Sequence, residues 1–214
     1  SSTVLCKGGR VEKFGGICGV NEKNSEIRQC WNEGKIGDEK NGLLPGGICG
    51  ASEVGSIVSE CYNKGEIHSS IKIAGGVVGN LVGKVENCYN SGKVIVEKAD
   101  DDWICIGGIC AECWKENGDG IKAGCVANCY NSGVIEIKSN TDAKKCYSGA
   151  IYGYVNNDYG KADYCYFDKD SSKVTSGIGK AVEDTTVGLT TLQMTGTGAN
   201  RSNDQMGRLS SDIW

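Results

Sequence analysis

Hydrophobic and polar positions alternate along this chain in short stretches, and glycine, asparagine or serine bounds each one. Residues 73–79, 85–88 and 94–97 are three such stretches in close succession. Short runs that are rich in β-branched residues and end at turn formers predict β-strands. A capped helix with a 3.6-residue apolar period is absent, and residues 189–194 would form at most one helical turn. The pattern therefore predicts an all-β chain.

Two short strings recur in alternation along the chain. The first, G-G-[IV]-[CV]-G, places its second residue at positions 16, 47 and 76, and at positions 108 and 150 in two less exact copies. The second, C-[YW]-N-x-G-x-[IV], begins at Cys30, Cys61, Cys88 and Cys129, with an eroded copy at Cys165 and an N-terminal half copy at Cys6. The first string recurs at intervals of 31, 29, 32 and 42 residues, so the two coupled strings define an internal repeat.

A repeat of this length with three short strands predicts one coil of a β-solenoid. One coil cannot bury its own apolar side chains, whereas stacked coils pair their backbone edges at a spacing of about 4.8 Å. We expect about five coils over residues 1–165 and an irregular C-terminal cap over residues 166–214, within a chain cut from a longer protein. A β-propeller is the competing architecture, but its blades need about 40 residues and four strands. The shorter interval favours the solenoid.

The two strings resemble the GLUG-motif repeats of large bacterial surface and secreted proteins, including adhesin-like and IgA-peptidase-type proteins. Residues 87–92 and 128–133 both read N-C-Y-N-S-G and match that repeat closely. The main departure is cysteine in place of the usual valine, at Cys18, Cys49 and Cys110. The resemblance implies an extracellular or cell-surface location and further domains in a larger parent protein. It implies little about activity, because the enzymes of that family carry their catalytic domains elsewhere.

Composition narrows the function classes. The chain has 214 residues, with 33 glycines, 13 cysteines, one proline and one histidine. A single histidine excludes a histidine-rich zinc site, and the net charge of −4 gives no reason to expect nucleic acid as a partner. The sequence predicts no membrane-spanning helix, because it has no run of 18 apolar residues. It contains no phosphate-binding loop or nucleophile elbow, and it indicates no cofactor.

Most of the cysteines follow the repeat. Six share one repeat position, the first of them Cys6, and the other five are expected to form a structural ladder of small buried side chains: Cys30, Cys61, Cys88, Cys129 and Cys165. We expect most cysteines to be free thiols, since in-register stacking rarely gives the disulfide torsion. Cys113 and Cys125 bracket the segment inserted in the fourth repeat and are the candidate disulfide, which would close that loop. A zinc site that adds Cys110 and Cys129 is the alternative.

Aromatic side chains that break the repeat are the candidate ligand contacts: Trp103, Trp114, Tyr152, Tyr154 and Tyr159. Tyr62, Tyr89 and Tyr130 instead recur in register and are expected to form a stacked structural ladder. The sequence therefore predicts a non-catalytic stalk or adhesive module that binds a host glycan or a host protein.

A polysaccharide lyase or hydrolase is the alternative, since such enzymes place carboxylates on one face of a β-helix. The glutamates at or near repeat positions are the residues available for that role: Glu60, Glu66, Glu86, Glu97 and Glu136. Repetition of this kind is more typical of a solvated sheet surface, because a catalytic set should break the repeat. His68 has no acidic partner implied by the sequence and is expected at the surface.

Overall fold

The computed structural model describes residues 4, 12–38, 44–98, 103–114, 124–138, 145–156, 160–181, 183–195, 206 and 209. Their regular structure is almost entirely β, as the repeat predicts. The half copy of the second string at Cys6 lies outside the described residues.

Each coil contains four or five short strands. The first coil holds β1 (Lys13–Gly15), β2 (Cys18–Asn21), β3 (Glu26–Arg28) and β4 (Trp31–Asn32). The second holds β5 (Leu44–Gly46), β6 (Cys49–Ser52), β7 (Ile57–Ser59), β8 (Tyr62–Asn63) and β9 (Ile67–Ile71). The third holds β10 (Ile73–Gly75), β11 (Val78–Leu81), β12 (Lys84–Glu86), β13 (Tyr89–Asn90) and β14 (Val94–Lys98).

The later coils keep the same order. The fourth holds β15 (Trp103–Gly107), β16 (Cys110–Cys113), β17 (Cys125–Ala127), β18 (Tyr130–Asn131) and β19 (Ile135–Ile137). The fifth holds β20 (Lys145–Gly149), β21 (Tyr152–Val155), β22 (Lys161–Asp163) and β23 (Tyr166–Asp168). The chain continues with β24 (Val187–Leu189) and one helical turn, α1 (Thr191–Met194).

Strands at the same place in successive coils pair in parallel and form five sheets. The first sheet has the order β1-β5-β10-β15-β20, the second β2-β6-β11-β16-β21 and the third β3-β7-β12-β17-β22. The fourth has the order β4-β8-β13-β18-β23-β24 and the fifth β9-β14-β19. Equivalent residues lie in register, so that Val78 pairs with Cys49 on one side and Cys110 on the other. The protein is therefore a parallel β-solenoid.

The structure divides each repeat more finely than the three strands that the sequence predicts. Residues 73–79, predicted as one strand, form β10 and β11 with a bend between them. At this bend the backbone folds back closely, and a Cβ on Gly75 would collide with the carbonyl oxygen of Val78. Only glycine fits such a close approach of two backbone segments.

Two apolar clusters fill the coils. The larger lies against the second and third sheets and includes Val77 and Val85. The smaller lies against the first and fifth sheets and includes Ile106 and Val94. Both run along the stack, because each coil contributes the same positions to them.

A column of buried asparagines lies between the two clusters: Asn32, Asn63, Asn90 and Asn131. Asn63 donates from Nδ2 to Asn90 Oδ1 at 2.8 Å and to Gly65 O at 2.9 Å. Its Oδ1 accepts from Asn32 Nδ2 at 2.7 Å and from Gly65 N at 3.2 Å. The side-chain amide of Asn63 thus uses both donors and both acceptor positions.

The chain bends sharply just before each cysteine of the second string. The preceding residue has a φ of 51–54° in all five coils, at Gln29, Glu60, Asn87, Asn128 and Tyr164. The thiol then forms hydrogen bonds with the backbone at this bend. Cys61 Sγ accepts from Cys30 N at 3.4 Å and donates to Ser59 O at 3.1 Å, and Cys88 repeats the pattern one coil later. Cysteine here is a small core side chain that also forms weak hydrogen bonds.

The rings of the second string stack on the outer side of the fourth sheet. The centroids of Tyr62 and Tyr89 are 4.9 Å apart, and those of Tyr89 and Tyr130 are 5.0 Å apart, with ring planes within 8°. Trp31 extends the stack at 5.9 Å from Tyr62. The stacked structural ladder predicted from the repeat is confirmed.

The C-terminal segment, predicted as an irregular cap, continues the stack in part. β23 and β24 extend the fourth sheet, and Ile178 forms a parallel bridge with Tyr152. Ile151 N donates to Gly177 O at 2.7 Å. Residues 176–180 therefore form part of a sixth coil, whose Gly177-Ile178-Gly179 is a further worn copy of the first string.

Two aspartates anchor this segment. Asp168 Oδ2 accepts from Thr191 Oγ1 at 2.7 Å, which ties α1 to β23. Asp184 Oδ2 accepts from Ser176 Oγ at 2.7 Å and from Gly177 N at 3.0 Å, which holds the partial coil in place.

Replacing one asparagine of the column should destabilise the whole stack. Asn90→Ala removes one hydrogen bond each from the buried Asn63 Nδ2 and Asn131 Oδ1, and one each from the backbone N and O of Gly92. We expect a loss of about 3 kcal/mol in the free energy of unfolding, measured by urea denaturation. The neighbouring exposed Ser91→Ala should change it by less than about 0.5 kcal/mol. Equal effects of the two substitutions would contradict the role of the column.

Candidate functional site

The fourth and fifth coils carry aromatic side chains on the outer side of the first sheet. In β15, Ile104 and Ile106 face the smaller core cluster. Trp103 and Cys105 therefore face the opposite side, because side chains alternate along a strand. Tyr147 of β20 lies in register with Cys105 and shares its outward direction.

The second sheet supplies the rest of the site. Tyr154 of β21 lies in register with Glu112 of β16, and Trp114 follows β16 directly. Ala111 and Cys105 join the two sheets here within a small third apolar cluster. We call the following residues the aromatic cluster: Trp103, Trp114, Tyr147, Tyr154 and the enclosed Glu112.

Tyr154 is the centre of the aromatic cluster. Its ring centroid lies 5.1 Å from that of Tyr147 and 6.3 Å from those of Trp103 and Trp114. The ring planes are inclined by 32°, 61° and 54° respectively. These separations are those of interacting aromatic pairs. Because the rings are inclined rather than stacked, the cluster presents ring faces as well as edges, and Trp114 is 36% exposed.

A cation lies beside these rings. Lys180, in the partial sixth coil, places Nζ 5.3 Å from the centroid of Tyr147 and 5.6 Å from that of Tyr154. Both distances are within the range of cation–π attraction. The Lys180 side chain is exposed, so its ammonium group is accessible to a ligand on the cluster.

Glu112 places a carboxylate beneath the rings, with only 3% of the residue exposed. Its Oε2 accepts from Trp114 Nε1 at 2.8 Å and from Asn80 Nδ2 at 3.3 Å. Its Oε1 has no hydrogen-bond partner among the described residues. Burial raises the pKa of Glu112, and the hydrogen bonds from Trp114 and Asn80 oppose that rise.

The repeat breaks at Glu112. Earlier coils carry Val20, Ala51 and Asn80 at the same register position. A buried carboxylate is costly in free energy, and the stack forms in three coils without one. A buried acid with a raised pKa beside the partly exposed Trp114 is therefore a candidate binding group.

The structure brings together three of the five aromatic residues singled out in the sequence. Trp103, Trp114 and Tyr154 all belong to the aromatic cluster. The prediction for Tyr152 is wrong: this ring is fully buried in the larger core cluster, and its hydroxyl donates to Lys161 O at 3.3 Å. Tyr152 lies in register with the core-facing Cys110 and takes the same inward direction. Tyr159 lies outside the described residues.

Sequence reasoning missed Tyr147, Glu112 and Lys180. The repeat aligns Cys105 with Ile73. Extending this alignment to the next coil would have placed Tyr147 in the same outward-facing ladder. Glu112 is visible as the only acid in its register column of five described positions. Lys180 had no such signal, because the partial sixth coil was not recognised.

The glutamates of the enzyme alternative form ion pairs. The pairs are Arg28–Glu60 (2.6 Å), Lys35–Glu66 (2.9 Å), Lys84–Glu86 (2.5 Å), Lys138–Glu97 (2.6 Å) and Lys93–Glu136. The hydrogen bond from Arg28 lowers the pKa of Glu60, and that from Lys35 lowers the pKa of Glu66. Glu60 and Glu86 lie at the third sheet and Glu66, Glu97 and Glu136 at the fifth, and each is paired with a lysine or an arginine.

The expectation for His68 is wrong. This side chain is 2% exposed and lies between two glutamates of the fifth-sheet region. Its Nε2 pairs with Glu97 Oε1, and its Nδ1 is 3.6 Å from Glu66 Oε1. Glu97 belongs to the next coil, so the pairing follows from the stacking and not from sequence proximity.

The expected disulfide between Cys113 and Cys125 is not formed, since both residues are free thiols. Cys113 faces the larger core cluster and donates to Gly124 O at 3.2 Å. In β17, Val126 faces the core, so Cys125 faces outward. The two thiols therefore lie on opposite sides of the coil wall. The twelve described cysteines are all free, as expected for most of them.

The described residues contain no group of three or more side chains that could hold a metal ion, which leaves the zinc alternative without support. No helix among them is long and apolar enough to span a membrane. No family model matches the chain, and no curated protein or solved structure is significantly similar to it. The fold therefore defines the class, a parallel β-solenoid, and the resemblance to GLUG repeats stays a prediction.

The raised pKa of Glu112 predicts a specific pH dependence of stability. When the pKa of a carboxyl is higher in the folded state than in the unfolded chain, the folded protein loses stability as the pH rises through these two pKa values. Glu112→Gln has no ionisable group at this position, so it does not show this pH-dependent destabilisation. The free energy of unfolding of the variant minus that of the wild type should therefore be larger at pH 8 than at pH 4. Urea denaturation at both pH values measures this difference.

Glu60→Gln is the matched control, because Arg28 lowers the pKa of Glu60. Its stability relative to the wild type should change in the opposite direction between pH 4 and pH 8. A Glu112→Gln effect that does not vary with pH would contradict the assignment of Glu112 as a buried, ionisable group.

Proposed function

We propose that this chain is a non-catalytic binding module of a bacterial surface or secreted protein, and that its aromatic cluster binds a glycan. The observation that carries the proposal is the group of four inclined aromatic rings centred on Tyr154, with Trp114 partly exposed and the Lys180 ammonium group beside them. The location follows from the resemblance of the two strings to surface-protein repeats.

The chemistry of the cluster matches that of a sugar. A pyranose ring has an apolar C–H face and an edge of hydroxyl groups. The partly exposed ring of Trp114, with the half-buried ring of Tyr154 beside it, offers the apolar surface. Lys180 adds a donor for ring oxygens or for the carboxylate of an acidic sugar.

The size of the cluster favours a glycan over a host protein. A specific protein interface buries about 800 Å² on each partner and involves some 20–30 residues on each side. The aromatic cluster consists of four rings around one enclosed acid, which is the scale of a site for a small ligand unit with a few placed polar groups.

The solenoid would supply the rigidity that such a site needs. Trp103 and Tyr147 lie on first-sheet strands, and Tyr154 lies on a strand of the second sheet. Sites built on strands hold their geometry better than sites on loops. Stacked coils would also act as a spacer that holds the site at a distance from the rest of a larger protein, as expected of an adhesive module.

Removing the exposed ring of the aromatic cluster should weaken glycan binding. We expect Trp114→Ala to lower retention on a glycan array at least tenfold, because an anchoring aromatic contributes about 1.4 kcal/mol or more. The thermal midpoint should fall as well, because the variant removes the hydrogen bond from Trp114 Nε1 to the buried Glu112, so the array is run well below that midpoint.

Trp31→Ala is the matched control, because Trp31 is 57% exposed but lies on the tyrosine ladder. Its retention should equal that of the wild type. Binding only to host proteins on a parallel array, or equal losses in both variants, would refute the glycan assignment. Release of cleaved sugar that is lost in Glu112→Gln would instead support the enzyme alternative.

A further inference from the structure

Lys64 and Lys180 each lie over a tyrosine ring, but they differ in their acidic partners. Lys64 Nζ is 4.8 Å from the ring centroid of Tyr62 and 3.6 Å from Glu33 Oε1, so its charge is already paired. Lys180 Nζ lies over two rings of the aromatic cluster, and it forms no ion pair within the described part of the chain. The cluster therefore holds a positive charge for which the described residues supply no counter-charge.

The backbone holds Lys180 beside the aromatic cluster. Lys180 N donates to Gly153 O at 3.1 Å, and Lys180 O accepts from Val155 N at 2.9 Å. These two hydrogen bonds flank Tyr154, the centre of the cluster. The Lys180 side chain is exposed. Its position is thus fixed by the pairing of the partial sixth coil with β21, and its ammonium group stays accessible at the surface.

A second cation borders the aromatic cluster. Lys145 of β20 lies in register with Trp103 and two residues before Tyr147, so its exposed side chain points outward as theirs do. It too forms no ion pair with a described residue. In β15, β16, β20, β21 and residues 176–181, Glu112 is the one acid, and it is buried. The described surface of the cluster therefore presents two unpaired ammonium groups and no exposed carboxylate.

We infer that the aromatic cluster binds an acidic sugar unit, with the pyranose ring on Trp114 and the carboxylate paired with the Lys180 ammonium group. This inference rests on the proposed function and names the class of glycan. Tyr154 links the two contacts, since its ring centroid lies 6.3 Å from that of Trp114 and 5.6 Å from Lys180 Nζ. A sugar acid carries an apolar ring face and a carboxylate in one unit, which suits a site whose exposed ring and cation are neighbours.

A glycan array printed in matched pairs tests this inference. Each carboxylated glycan is printed as the free acid and as its methyl ester, which keeps the shape of the sugar and removes its charge. We expect the wild type to retain the acid about fivefold more strongly than the ester, which is the gain from one surface charge pair. Lys180→Gln should lower this acid-to-ester ratio to about one, because it removes the charge that the carboxylate meets.

Lys64→Gln is the matched control, because Lys64 also lies over a tyrosine ring but on the tyrosine ladder. Its acid-to-ester ratio should equal that of the wild type. Both variants should keep the wild-type thermal midpoint, since both lysine side chains are exposed.

The outcomes separate this inference from the proposed function. Equal retention of acids and esters that still depends on Trp114 would overturn the inference and leave the proposed function intact. An acid preference that persists in Lys180→Gln, or retention of sulfated glycans alone, would also overturn it. A wild-type protein that retains no glycan at all would refute the proposed function and the inference together.

Discussion

The stack of coils depends on one interaction, the hydrogen-bonded column of buried asparagine side chains. Each amide is bonded to its own turn and to the amide of the next coil, as Asn63 is bonded to Gly65 and Asn90. The glycines of the first string pack directly on this column, and a Cβ on Gly76 would collide with the Asn90 side chain. The two strings therefore recur together because they meet inside the coil. One supplies the polar column and the other the space that it needs.

The register that this column imposes has consequences in every other ladder. Identical residues become neighbours, so the tyrosines stack at about 5 Å and opposite charges pair between coils, as Arg28 does with Glu60. The sharp bend before each second-string cysteine leaves a backbone N–H without a strand partner, and the thiol of the next coil accepts its hydrogen bond. Cysteine is abundant because its side chain is small enough for the core and its thiol can still accept a hydrogen bond from the backbone at that bend.

The sequence was sufficient for the class of fold and for the ladders, because the two strings record the contacts that stacking requires. It was insufficient where a position is decided by the direction of a side chain. Tyr152 breaks the repeat as Tyr154 does, yet only Tyr154 faces outward. Cys113 and Cys125 lie on opposite sides of the coil wall for the same reason. The pairing of His68 with Glu97 likewise needs the offset between coils, which sequence spacing does not contain.

The same constraint explains where a binding site can form in this protein. Asparagine, glycine and cysteine positions are fixed by the column and the bends, so a substitution there would weaken the stack. The outward positions of the first and second sheets take no part in the column or the bends. They change from Ile73 and Asn80 to Tyr147 and Tyr154 within two coils. Glu112 is the costly member of this change, since a buried carboxylate with an unpaired oxygen destabilises the folded chain. Under the proposed function, the rings of the aromatic cluster determine which ligand fits on this surface.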